Sequence, residues 1–225
     1  MKIPTISACL LISSVSLASA ALVIENFDSY DNDGAVVPNW NSFGTAATAG
    51  APVLHVGQGV DGSNAARFAL DWRGGGNTNA NARRINLNSL DLSGYSALSV
   101  VAFIETRAGF DAPPDPTTFR VAFEGTNGAI WQTSTAAALT IADDSYQAYI
   151  FDFSDLVLVQ GGGTLQDAMG SLLNFRLRFE NTPGVESRQD VFFDSVAAIP
   201  EPGTWGAILG SVGLLLVFLR RRTRS

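Results

Sequence analysis

The sequence predicts an all-β protein whose main body is a jelly-roll β-sandwich. Three observations carry this expectation. Apolar and polar residues alternate with period two in one segment after another, as in Phe119, Val121 and Phe123 against Arg120, Ala122 and Glu124. Turn-forming stretches separate these segments: Gly74-Gly75-Gly76, Ala112-Pro113-Pro114-Asp115-Pro116 and Gly161-Gly162-Gly163. A single stretch within the main body, Leu165–Leu173, reads as helix, and it is short. With 225 residues, 46% of them hydrophobic and 16% charged, the chain suits one domain of this kind and is too apolar to be disordered throughout.

Taken in order, Leu22–Phe27 opens the domain and Val53–Val56 is the next strand candidate. Ala66, Phe68 and Leu70 alternate with Arg67 and Ala69, and Arg83–Leu87 lies beyond the glycine loop. Leu98–Thr106, Phe119–Glu124 and Ala129–Thr133 follow. Tyr149, Phe151 and Phe153 alternate with Ile150 and Asp152. Phe175, Leu177 and Phe179 alternate with Asn174, Arg176, Arg178 and Glu180, and Val191–Ala197 closes the domain. Such alternation marks half-buried antiparallel strands. About ten of them between turn signals suit a sandwich, most simply a jelly roll.

Composition narrows the chemistry. One Cys and one His exclude a disulfide framework, a Cys-based zinc site and a multi-His metal site. The net charge of −7 argues against a nucleic-acid partner. Between residues 21 and 199, nine Arg face twenty Asp and Glu, a balance of −11 that favours solubility and disfavours acidic partners. His55 sits within the strand candidate Val53–Val56 and reads as structural rather than as a base. Many carboxylates stand in turns such as Asp31-Asn32-Asp33-Gly34, Asp61-Gly62 and Asp143-Asp144, so paired-carboxylate hydrolysis has no clear signature. The first of these turns lacks the Glu that an EF-type calcium loop needs at position twelve, where Ser42 stands. The expectation is a protein that is not an enzyme.

The ends of the chain speak of export. Lys2, the apolar run Ile6–Leu17 and the small-residue site Ala18-Ser19-Ala20 form a signal peptide over residues 1–20. At the other end, Trp205–Leu219 is almost wholly apolar, and Arg220, Arg221, Arg222 and Arg224 follow it. The uncharged stretch Pro202–Leu219 has eighteen residues, which as helix span about 27 Å, close to the hydrocarbon thickness of a bilayer. The arginine cluster stays cytoplasmic by the positive-inside rule. Residues 21–199 are therefore expected outside the cytoplasmic membrane, anchored by a C-terminal transmembrane helix.

Pro200-Glu201-Pro202, a short hydrophobic helix and an arginine cluster, in that order over residues 200–225, resemble the PEP-CTERM sorting tail of Gram-negative bacteria. The resemblance implies recognition by an exosortase at Pro200, Glu201 and Pro202, removal of the helix, and a place at the cell surface or in an extracellular polysaccharide or biofilm matrix. A permanent anchor with Pro-Glu-Pro as linker is the alternative.

A second resemblance runs through the exported domain. Val23-Ile24-Glu25-Asn26-Phe27-Asp28, Trp40, Asp91–Ser99, Phe119–Glu124, Asn127–Trp131, Tyr146–Asp155, Asn174–Glu180 and Val191–Val196 follow in the order found in galactose-binding-like jelly rolls. They are similar to carbohydrate-binding modules of the family 11 kind. The resemblance implies a structural calcium ion tying the first strand to the last, with Glu25 or Asp28 and Asp194 at the matching positions. Acids that merely cap or edge strands are the alternative. Sugar binding needs an exposed aromatic ring with polar groups around it. Trp72, at the end of an alternating strand and the start of a glycine loop, is the candidate, with core packing as the alternative; Tyr30, Trp131, Tyr146 and Tyr149 are secondary. Trp40 and Trp131 read as core.

These readings converge on an exported, non-catalytic surface or matrix protein that adheres to extracellular polysaccharide. A structural or protein-binding surface domain without sugar specificity, and a glycan-active enzyme, are the competing functions.

Overall fold

The computed structural model describes residues 21–201 apart from 37, 45, 46, 49, 73–78, 112–115, 140–144 and 182–186. The expected signal peptide, Pro202, the apolar stretch Trp205–Leu219 and the four tail arginines lie outside the described residues. Among the described residues no helix is long and apolar enough to cross a membrane.

The strands in chain order are β1 (Leu22–Glu25), β2 (Trp40–Gly44), β3 (Ala47–Thr48), β4 (Val53–His55), β5 (Ala65–Trp72), β6 (Asn79–Arg84) and β7 (Tyr95–Thr106). Then come β8 (Thr118–Gly125), β9 (Ile130–Thr133), β10 (Ala137–Ala138), β11 (Gln147–Asp152), β12 (Leu156–Gln160), β13 (Leu172–Glu180) and β14 (Ser187–Pro200). Two short helices, α1 (Asp33–Val36) and α2 (Leu165–Met169), complete the elements. The first sheet runs β11-β7-β14-β5-β3, with β1 on β14 and β4 on β5; the second runs β12-β9-β8-β13-β6-β2, with β10 on β8. Neighbouring strands pair antiparallel throughout.

The alternation explains why the sheets pack face to face. Phe68 and Phe193 from the first sheet meet Phe179 from the second at ring separations of 5.7 and 5.9 Å. Phe119 meets Phe151 at 4.9 Å, and Trp40 stacks on Phe193 at 6.1 Å. All but Phe151 in this group are essentially fully buried, which places the core between the sheets. Burying one such ring contributes on the order of 2–3 kcal/mol relative to leaving it in water.

The sequence reading misses or misplaces some elements for identifiable reasons. β2 is a strand of mixed polarity in which Trp40 is buried and Phe43 is exposed. β12 is apolar but lies at an edge of its sheet, where Val157, Leu158 and Val159 are exposed, so no period marks it. β6 ends at Arg84 instead of Leu87; its core side is Ala80 and Ala82, too small to signal an alternation. The expected helix to Leu173 stops at Met169. A capping box between Thr164 and Asp167 starts it, and Leu172 already pairs as strand. β14 extends through Pro200, which pairs with Tyr95, and the Glu201 N–H donates to the Gly94 carbonyl at 3.3 Å.

Candidate functional site

The buried polar groups decide which sequence candidates are available to a ligand. Trp72 lies within the core at 1% exposure. Its Nε1 donates to Gln189 Oε1 at 2.9 Å, an acceptor that also receives Thr117 Oγ1 at 2.6 Å. No ring face is left for a sugar, because Trp72 continues the inward row of Phe68 and Leu70 instead of turning out into the loop. Trp40 is fully buried, as expected, and Trp131 is partly buried against the same core. Among the secondary candidates, Tyr149 packs on Phe119 and Tyr30 is buried.

Glu25 is also committed. The residue is 5% exposed, and its carboxylate accepts from Tyr30 Oη at 2.9 Å, Trp40 Nε1 at 3.2 Å and Arg84 Nε at 3.0 Å. The positive charge it needs is supplied by Arg84, so its donors do not fit a calcium ion. Burial, with the charge and hydrogen bond of Glu25 acting in the same direction, pushes the Tyr30 hydroxyl up to about 12.

Asp28 and Asp194 both bond the loop before β5, at different residues. Asp28 Oδ1 accepts the Asn64 N–H at 2.8 Å, while Asp194 Oδ1 accepts Val60 N–H at 3.1 Å and the Ser63 hydroxyl. Gly59 closes a small cradle: a Cβ there would run into Asp194 Oδ1, Ser63 Oγ and Asn64 O. Three converging oxygens are part of the six to eight that calcium takes. Among the described residues no group of three or more His, Cys, Asp or Glu could hold a metal ion, so hydroxyl and carbonyl oxygens would have to supply most of the shell.

The outer face of the first sheet is aromatic and closely paired. His55, Phe192, Phe103 and Tyr146 form a continuous row, with ring separations of 5.3, 4.6 and 4.7 Å. Arg107 grips Asp190 with two bonds of 2.9 and 2.7 Å, and Arg188 bonds Asp71 at 3.3 Å. A cleft of about 600 Å³ opens beside Gln58, Asp61, Phe103, Glu105 and Tyr146. The Tyr146 hydroxyl donates to the Gln58 carbonyl at 2.8 Å, and burial holds it well above the usual phenol range.

The outer face of the second sheet is built differently. Register aligns Asn41 (β2), Arg83 (β6), Arg176 (β13), Ala122 (β8), Gln132 (β9) and Val157 (β12) in one row. Residues directly opposite in antiparallel strands share a face. The row therefore crosses six strands, about 24 Å at the usual strand spacing. Beside it run Phe43, Asn81, Arg178 and Arg120, and on the other side Asn174 and Glu124. Arg83 Nε donates to Asn41 Oδ1 at 3.1 Å. The guanidinium groups of Arg83 and Arg176 lie over the Phe43 ring, 5.1 and 5.3 Å from its centre, and the ring is still 36% exposed. Planar guanidinium and amide groups around an accessible ring make a hydrogen-bonding, stacking surface. These residues appear in the sequence as the polar half of the alternation. The signal available was that two outward positions of β13, Arg176 and Arg178, and one of β8, Arg120, are Arg.

No protein-family model and no curated protein matches the sequence. Solved structures do match in fold. The chain is similar to a family 28 carbohydrate-binding module specific for non-crystalline cellulose, with a TM-score of 0.57 at 15% identity over 80% of this chain and 95% of that one. It is also similar to the family 11 module of the cellulosomal cellulase Lic26A-Cel5E of Clostridium thermocellum, with a TM-score of 0.51 at 14% identity over the same shares. An exo-β-agarase matches at 0.52 and 14% identity over 81% of this chain but 25% of the enzyme. The body of this protein has the jelly-roll sandwich fold seen in carbohydrate-binding modules.

Proposed function

We propose that this is an exported, non-catalytic surface or matrix protein that adheres to extracellular polysaccharide through the outer face of its second sheet. The observation that carries the reading is the register-aligned row Asn41–Arg83–Arg176–Ala122–Gln132 beside the exposed ring of Phe43. A flat, polar, multi-strand surface suits an extended chain of sugars better than a compact small molecule. The fold likeness supports it: one similar family 11 module was solved with a β-1,3-1,4-mixed-linked tetrasaccharide. Delivery rests on the sequence: a signal peptide over residues 1–20, then Pro200-Glu201-Pro202, an apolar helix and Arg220, Arg221, Arg222 and Arg224 for an exosortase to process.

Affinity electrophoresis of the full chain in neutral detergent, through gels containing polysaccharides, tests adhesion. Retardation that Phe43→Ala weakens is expected, and migration indifferent to every glycan would leave a structural or protein-binding domain. Sorting is read from the mass of the protein in its native host. Loss of the Trp205–Leu219 segment in the parent, but not in Glu201→Ala, is expected; retention in both means a permanent anchor.

A calcium ion would sit at Asp194 with Ser63 and Asn64, bordered by Asp28, and would fasten the loop before β5 to the last strand. If it does, EDTA lowers the melting temperature of the full chain by several degrees, calcium restores it, and Asp194→Asn removes the difference. An EDTA-insensitive melt rejects the site.

A further inference from the structure

Resting on the reading that the second sheet's outer face holds polysaccharide, we infer that its ligand is anionic: a uronate-containing chain whose carboxylates are taken by Arg176 and Arg83. Charge distribution is the first ground. Four of the nine arginines between residues 21 and 199, namely Arg83, Arg120, Arg176 and Arg178, stand on this face with two glutamates, Glu124 and Glu180. The rest of that segment then has five arginines against eighteen acids. The overall balance disfavours acidic partners, but this face is locally positive on a negative body, and local fields steer what docks.

Pairing geometry is the second ground. Glu180 accepts Arg120 Nε at 3.3 Å and lies 2.9 Å from Arg178 Nε as an ion pair without hydrogen-bond geometry. Asp155, beyond Arg120 at the rim, is held below the usual carboxylate range chiefly by the Ser134 hydroxyl. Glu124 faces both remaining arginines at the limit of pairing distance, Arg83 at 3.9 Å and Arg176 at 4.0 Å. The same oxygen also accepts Asn174 Nδ2 at 3.1 Å. Arg176 has no side-chain hydrogen bond among the described residues, and its side chain is only 17% exposed. It has lost most of its water without gaining an anion at bonding distance. Burial accordingly pushes its guanidinium below the ordinary value; Glu124 opposes this, while Arg83 and Arg178 add to it. Arginine does not release its proton in proteins, so relief comes from an incoming anion. A carboxylate suits the planar fork through two parallel bonds. Phe43, beside both guanidinium groups, offers the sugar ring a face to lie on.

The test is affinity electrophoresis of the full chain in neutral detergent, through gels containing polygalacturonate, its methyl ester, or mixed-linked β-glucan. Polygalacturonate should retard the protein, the methyl ester should not, and added salt should weaken the retardation. Arg176→Gln should weaken it about tenfold or more, Arg83→Gln should also weaken it, and Arg176→Lys should keep part of it, with melting curves showing each variant folded. All variants share the tail arginines, so variants that bind as tightly as the parent would overturn the inference. Equal or stronger retardation by β-glucan would overturn the anionic ligand while leaving polysaccharide adhesion standing. No retardation by any of the three would sink both readings.

Discussion

The two outer faces of the sandwich use the same residue types to opposite ends. On the first sheet, Arg107 and Asp190 form a two-bond pair, with Arg67 3.9 Å from the same carboxylate. Arginines there neutralise partly buried acids and hold strands β7 and β14 to one another. On the second sheet the arginines outnumber the acids, and Arg176 lies partly buried with Glu124 no nearer than 4.0 Å. On the first face Asp190 and Asp71 each accept an arginine hydrogen bond, although Arg67 Nε and His55 Nδ1 are buried there without a hydrogen bond among the described residues. On the second face Arg176 has, among the described residues, no side-chain hydrogen bond and no carboxylate nearer than 4.0 Å, and that is the capacity an anionic ligand would take.

Removing an acid from each face should separate them most sharply. Asp190→Asn leaves Arg107 and Arg67 without their anion and should cost about 2–3 kcal/mol in urea unfolding. Glu124→Gln keeps an acceptor for Asn174 and should cost under about 1 kcal/mol, while tightening polyuronate binding. Equal losses would erase the distinction. Trp72→Phe sharpens it from the core, between the faces. It removes the Nε1–Gln189 bond and some packing, and should cost about 1–2 kcal/mol with glycan retardation unchanged. A loss of retardation in the folded variant would return Trp72 to the binding site.

The smallest effect concerns pH. The folded state holds the Tyr30 proton more tightly than the unfolded chain does, because burial and Glu25 raise its pKa from 10.0 to about 12. That contribution is complete below about pH 10 and is lost as pH rises toward 12. Tyr146 shifts in the same direction through burial. The melting temperature should therefore fall between about pH 9 and 11, and fall less in Tyr30→Phe. An identical decline in both proteins would contradict the burial of Tyr30 against Glu25.

The architecture was legible because alternation is a local property: Phe119, Val121 and Phe123, or Phe175, Leu177 and Phe179, declare their inward face within one segment. The burial of Trp72 was legible as well, since it shares parity with Phe68 and Leu70; the glycine loop after it drew attention the other way. The row through Asn41, Arg83, Arg176 and Gln132 was not legible. It exists only once the register of six strands is known, and register depends on contacts far apart in sequence. The commitment of Glu25 to Arg84, 59 positions away, was hidden for the same reason.

Arg107 is hydrogen-bonded to a carboxylate of the fold and Arg176 is not. Replacing each by methionine keeps most of the side-chain volume and removes the charge. Melting curves of Arg107→Met and Arg176→Met, measured side by side, test this difference directly. Arg107→Met should lower the melting temperature by several degrees, because it removes both hydrogen bonds to the buried Asp190 and leaves it only Arg67 at 3.9 Å. Arg176→Met should leave it unchanged or raise it, since a desolvated charge is replaced by an apolar chain against Phe43. A fall in Arg176→Met as large as that in Arg107→Met would mean that the second face is a structural ion-pair lattice like the first, and the account would be wrong.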